Sequence, residues 1–126
     1  MYNQKIIDVF AAAKNAGVLK GANGVGTATD TICGDVVRIY LNIQNDKIVE
    51  ARFKAFGCVA TIASASVLTD IVISKTVDQA QHLTDTHIYN ALGELPIDKQ
   101  YCAILSIEAL NNALLNYYKT LQKENN

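Results

Sequence analysis

The sequence predicts an α+β fold: a small three-stranded antiparallel sheet with helices packed on one face, the longest helix last. Three observations predict it. Two runs, 36–43 and 48–56, alternate apolar and polar residues on either side of the turn pair Asn45-Asp46. From Val59 onward the apolar period becomes helical and stays so to Leu121. The chain has 126 residues, half of them hydrophobic, which suits one domain (1–126) with a real core.

Residues 3–14 read as a first helix with Ile6, Ile7 and Phe10 on its apolar face, closed by Asn15-Ala16-Gly17 with Gly17 in a left-handed cap. The glycine-rich run 21–26 reads as a flexible connection, and a first strand is expected at about 26–31 to complete the sheet. In the next strand Val37, Ile39, Leu41 and Ile43 share one face, with Arg38, Tyr40 and Asn42 on the other. In the return strand Ile48, Glu50, Arg52, Lys54 and Phe56 alternate against Val49, Ala51, Phe53 and Ala55. Gly57-Cys58 closes it. The following helix is rich in small residues over its first two turns and ends at Ser74-Lys75-Thr76. A short helix is expected over 77–82, and another, capped by Thr84 or Asp85, runs through Leu92 to a stop at Gly93. Pro96, the only proline, and Asp98 as N-cap place Cys102 in the first turn of the last helix. Its expected stripe is Ile104, Ile107, Leu110, Leu114, Tyr117 and Leu121, before a polar tail, Glu124-Asn125-Asn126.

Composition removes several function classes. Net charge is −1 with no Lys/Arg run, so no nucleic-acid partner is expected. No apolar stretch approaches membrane-spanning length and the first residues form no signal peptide, so no membrane partner and a cytoplasmic location are expected. The run ending at Gly26 lacks the Lys and Ser/Thr that a phosphate-binding loop places after its last glycine. Ser64 and Ser66 have no histidine partner by sequence logic. His82 and His87 lie away from every cysteine and read as ordinary surface or packing residues.

The three cysteines are an odd number, which argues against a secreted disulfide framework. They are either buried packing residues or ligands and nucleophiles. All three stand at element ends, not mid-element among apolar neighbours. Cys33-Gly34-Asp35 enters a strand, where extended spacing would set thiol and carboxylate side by side. Cys58 and Cys102 each open a helix, whose dipole favours the thiolate, and Lys99 lies near Cys102. Three thiolates and one carboxylate suit tetrahedral zinc or a [2Fe–2S] cluster.

The runs Cys33-Gly34-Asp35-Val36-Val37 and Ala51-Arg52-Phe53-Lys54-Ala55-Phe56-Gly57-Cys58, then Ile62-Ala63-Ser64-Ala65-Ser66, Lys75-Thr76-Val77 and Leu95-Pro96-Ile97-Asp98-Lys99-Gln100-Tyr101-Cys102, resemble the IscU/NifU iron–sulfur scaffold family in sequence and spacing. Tyr2-Asn3-Gln4-Lys5-Ile6-Ile7-Asp8 is similar to the family's opening helix. The resemblance implies a SufE/NifU-like fold and a scaffold, not an enzyme. Sulfur from a cysteine desulfurase and iron would build a transient [2Fe–2S] cluster for acceptor apo-proteins. By position, Cys33, Cys58 and Cys102 would be sulfur acceptors and, with Asp35, the cluster or zinc ligands; zinc could occupy the site in the protein as isolated. Leu95, Pro96 and Lys99 would belong to a segment read by an Hsp70-type chaperone.

The chain departs from the family pattern in three places. Tyr101 stands where the family commonly has His before its last cysteine, and a phenol is a poorer ligand than imidazole. Tyr101 is thus a weak ligand or a hydrogen-bond donor at the site rim. Leu95-Pro96-Ile97-Asp98-Lys99 changes the middle of the usual Leu-Pro-Pro-Val-Lys, and Ala13-Lys14 replaces a typical Pro-Arg. Two other functions stay open: a SufU-like zinc-dependent sulfurtransferase, and a degenerate scaffold with cluster chemistry altered by Tyr101.

Overall fold

A computed structural model of the chain describes residues 2–124; Met1 and the Asn125-Asn126 end of the polar tail lie outside the described residues. The element order is α1 Gln4–Ala12, β1 Gly24–Thr29, β2 Val36–Gln44, β3 Lys47–Phe56, α2 Val59–Val72, α3 Val77–Gln81, α4 Asp85–Leu92 and, after a 3-10 turn Ile97–Lys99, α5 Gln100–Glu124. The α+β class and the long last helix are as expected.

The sheet has the order β1-β2-β3, antiparallel throughout. Its covered face carries Ala28, Val37, Ile39, Leu41, Ala51 and Phe53, all buried. α5 packs across β1 and β2, and α2 across β3. Arg38 and Lys54 stand exposed on the opposite face. Tyr40, expected on that wet face, is nonetheless buried, because Val25 and Arg52 flank it in register.

A shift of register between Asn42 and Ile43 pairs Asn42 with Glu50 but Ile43 with Ile48, leaving Val49 as the extra residue of a β-bulge. That residue reverses the alternation at the start of β3. Ile48 is buried and Val49 exposed, whereas Ala51 and Phe53 keep the expected face.

β1 starts two residues earlier than expected and includes part of the supposed flexible run. A Cβ on Gly24 would lie 2.8 Å from the Ala113 carbonyl oxygen, and one on Gly26 would collide with the α5 backbone at Ala109, Asn112 and Ala113. These two glycines are what lets the helix lie directly on the strand. The same helix covers the outer edge of β1. The Val25 N–H donates to Asn116 Oδ1 at 2.9 Å, and Asn112 Nδ2 donates to the Thr27 carbonyl at 2.9 Å. The far edge of β3 is paired by residues 15–17, through Gly17 N–H to Phe53 O (2.8 Å) and Phe53 N–H to Asn15 O (3.0 Å).

The helix ends need several corrections. α1 is capped by Asn3, whose side chain accepts from Ile6 N–H, and it stops at Ala13 in the left-handed region, not at Gly17. Of its expected face only Ile6 is buried, while Ile7 and Phe10 are exposed, because α1 lies on the domain edge and touches α2 and α4 with one side. Thr76 and Gln79 form a capping box for α3. At α4, His87 Nδ1 accepts from the Thr84 N–H at 3.1 Å, so His87 closes the helix start, and Gly93 (φ 78°) closes its end. Asp98 lies inside the 3-10 turn and does not cap α5. The buried stripe of α5 is Cys102, Ala103, Leu105, Ser106, Ala109, Leu110, Ala113, Leu114 and Tyr117. Ile104 and Leu121, expected on that stripe, are exposed; small residues hold the contact line because the strand beneath is so close.

Candidate metal centre

Three element ends meet at one end of the domain. Residues 30–35 form a tight loop before β2: Asp30 N–H donates to Asp35 O and Gly34 N–H to Asp30 O, both at 2.8 Å, while Asp30 Oδ2 accepts from Cys33 N–H at 3.0 Å. Gly34 sits at φ 78°, so the chain turns here and is not extended. The extended spacing expected of Cys33 and Asp35 is therefore not what places the two side chains. Cys33 is exposed, whereas Asp35 is turned inward and only 5% exposed.

Cys58 is the N-cap of α2 and half-buried; Cys102 is the third residue of α5 and fully buried. Their sulfurs lie 3.9 Å apart. One ligand atom from each of Asp35, Cys58 and Cys102 lies within 4.8 Å of the others. This is the set of groups close enough to hold one metal ion among the described residues, and Cys33 is outside it. Two soft sulfurs and one carboxylate oxygen on neighbouring elements fit a thiophilic cation. His82 and His87 take no part.

Thr61, a residue the sequence reading passed over, stands between these groups. Its hydroxyl donates to Asp35 Oδ2 at 2.6 Å and lies 3.4 Å from Cys102 Sγ and 3.5 Å from Cys58 Sγ. Its position three residues after Cys58, on the same face of α2, was the available signal. Tyr101 donates its phenol proton to the same Asp35 oxygen at 3.2 Å. The neighbouring Cys33 thiol, burial, and the Cys102 and Asp35 charges hold the Tyr101 phenol well above the ordinary tyrosine pKa. It is a neutral hydrogen-bond donor at the rim. Tyr2, at the start of the chain, reaches Cys58 with its hydroxyl 3.8 Å from Sγ.

The two inner thiols are tuned oppositely. Burial raises the Cys58 pKa, but the Thr61 hydroxyl, the Thr61 N–H, the Tyr2 hydroxyl and the Ala60 N–H outweigh it and bring the thiol down to about 7. At Cys102 burial dominates; despite the Thr61 and Tyr101 hydroxyls, and with the Cys58 charge adding to the rise, the thiol is pushed up to about 11. The expectation that the helix start and Lys99 would favour a Cys102 thiolate is overturned by that burial.

Of the residues expected to bind a chaperone, Leu95 is buried in the core and Pro96 and Lys99 are half-buried; between them Ile97 is 88% exposed. Ile32 and Phe56, next in sequence to the Cys33 loop tip and the Gly57-Cys58 turn, are also largely exposed.

The family described as NifU-like N terminal domain matches residues 1–124. The chain belongs to this family. Among its relatives, "Iron-sulfur cluster assembly scaffold protein IscU" of Aquifex aeolicus is 42% identical over 118 residues, covering 92% of this chain and 75% of the relative. "Iron-sulfur cluster assembly scaffold protein IscU 1" of Archaeoglobus fulgidus is 36% identical over 119 residues, covering 94% and 78%. Among solved structures, a putative iron–sulfur cluster assembly scaffold protein for the SUF system from Fervidobacterium islandicum superimposes with a TM-score of 0.72 at 25% identity, covering 90% of this chain and 96% of that one. The matched stretch runs from α1 through the sheet to the long last helix. No helix among the described residues is long and apolar enough to cross a membrane.

Proposed function

We propose that this chain, as one NifU/IscU-like domain over residues 1–126, is a scaffold on which an iron–sulfur cluster is assembled and from which it is passed on. The observation that carries this reading is the convergence of Asp35, Cys58 and Cys102 at one end of the domain, with exposed Cys33 two residues from Asp35. Iron and sulfur are cargo here, and the protein supplies donors, a hydrogen-bonded carboxylate and a shielded floor. Sulfur arrives by thiol–disulfide-type chemistry. A cysteine thiolate attacks the outer sulfur of a desulfurase persulfide, a new S–S bond forms, and the donor's cysteine leaves as thiolate. Exposed Cys33 is the accessible first acceptor, and Cys58 and Cys102 form the floor with Asp35.

The cargo is taken to be a [2Fe–2S] cluster on Cys33, Asp35, Cys58 and Cys102, with zinc able to occupy the same donors in the protein as isolated. The partners are a cysteine desulfurase and acceptor apo-proteins in the cytoplasm. Capture of residues 95–99 by an Hsp70-type chaperone would require Leu95 to leave the core. Anaerobic incubation of the reduced chain with a desulfurase, cysteine, ferrous iron and a dithiol reductant, which takes persulfide sulfur to sulfide, should produce a labile visible absorbance with matching iron and sulfide; no absorbance would reject the scaffold. The alternative reading is a SufU-like zinc-dependent sulfurtransferase. That reading requires a large rise in desulfurase turnover tied to bound zinc in the same assay.

A further inference from the structure

We propose that Thr61 is the positioning residue of this site: its hydroxyl sets the Asp35 carboxylate and the Cys58 and Cys102 sulfurs in register for a single cation. The inference rests on the metal-capturing reading above and adds a residue to it.

Thr61 is fully buried, so its hydroxyl must find partners within the protein. A hydroxyl offers one proton and two lone pairs. At 2.6 Å the donation to Asp35 is the shortest of its three contacts, as expected for a charge-assisted bond. The same hydroxyl is also placed to donate to Cys102 Sγ at 3.4 Å and lies 3.5 Å from Cys58 Sγ, so its one proton is shared among these acceptors. One side-chain oxygen is therefore the common neighbour of all three candidate donors.

The backbone is shaped around this contact. A Cβ on Gly57 would lie 2.6 Å from Thr61 Oγ1 and 2.8 Å from Asp35 Oδ2, so glycine there leaves room for the pair. Asp35 has Tyr101 as its other side-chain donor, at 3.2 Å from the same oxygen. Without the Thr61 hydroxyl a nearly buried carboxylate would hang on that one longer bond, free to swing from the sulfurs. Thr61 is not itself a donor to the cargo; it acts through Asp35 and the thiols.

Cobalt(II) alone is a suitable probe, because its absorption reports both thiolate ligation and the geometry around the ion. In titrations of the reduced, metal-free full chain, Thr61→Val keeps the side-chain shape and removes the hydroxyl. It should weaken cobalt binding about tenfold, which is about 1.4 kcal/mol, and shift the ligand-field bands. Thr61→Ser should restore both, which a packing role for the methyl group would not produce. Gly57→Ala, which crowds the pair with Thr61 intact, should reproduce the spectral shift. In an Asp35→Ala background, Thr61→Val should add little. Wild-type affinity and spectrum in Thr61→Val, tighter binding, no rescue by serine, or additivity with Asp35→Ala would each overturn the role of Thr61. Should the wild-type chain bind no cobalt at all, the metal-capturing reading itself falls, and Thr61's role with it.

Discussion

Cys58 and Cys102 both sit at helix starts, yet their thiols differ by about four pKa units in opposite senses, one brought down to about 7 and the other pushed up to about 11. Cys58 is the N-cap of α2, half-buried, with hydroxyl and amide donors around its sulfur. Cys102 lies under the first turn of α5 with no exposure. A helix dipole acts on both, and it does not decide the outcome. What decides is whether donors around the sulfur compensate its removal from water.

The largest test of that contrast loosens the burial of Cys102 from a distance. Gly26→Ala forces α5 off β1 at Ala109 and Ala113. Overpacking of this kind should cost about 3 kcal/mol of stability, readable by denaturant melting. If burial sets the Cys102 thiol, its alkylation should accelerate in the variant while that of Cys58 holds. Equal acceleration of both would break the contrast.

A second test leaves the fold alone. At pH 8 the lowered Cys58 thiol is mostly thiolate and the raised Cys102 thiol mostly protonated, and the weaker nucleophilicity of a low-pKa thiolate returns part of that advantage. Iodoacetamide labelling of metal-free protein, mapped by mass spectrometry, should modify Cys58 at least about tenfold faster than Cys102. Raising the pH toward 11 should narrow the gap as Cys102 ionises. The smallest effect belongs to Tyr2→Phe, which removes one weak contact at 3.8 Å. Cys58 should then label about twofold more slowly at pH 7, and Cys102 should be little changed.

The sequence reading succeeded where hydropathy carries the signal. The alternation of β2, the change to a helical period at Val59, and the stop at Gly93 are all in the structure. It failed where geometry is carried by residues that hydropathy ignores. Gly24 and Gly26 read as slack because glycine has no side chain to score, although contact with α5 makes them indispensable. The bulge at Asn42 and Ile43 reversed Ile48 and Val49 because one inserted residue leaves no compositional mark. At the site, Cys58 and Cys102 met as expected. Cys33, on a loop turned by a left-handed glycine, lies outside the single-ion set, and Thr61 went unread because a threonine in a helix has no motif of its own.

The pairing of Asn112 and Asn116 with β1, and of residues 15–17 with β3, has a consequence for how the molecule meets others. These contacts occupy part of each flank of the sheet, so a visiting strand would have to displace them before zipping on. A carrier of reactive cargo gains from this, since a stray neighbour finds less open backbone to grip than a bare sheet edge would offer.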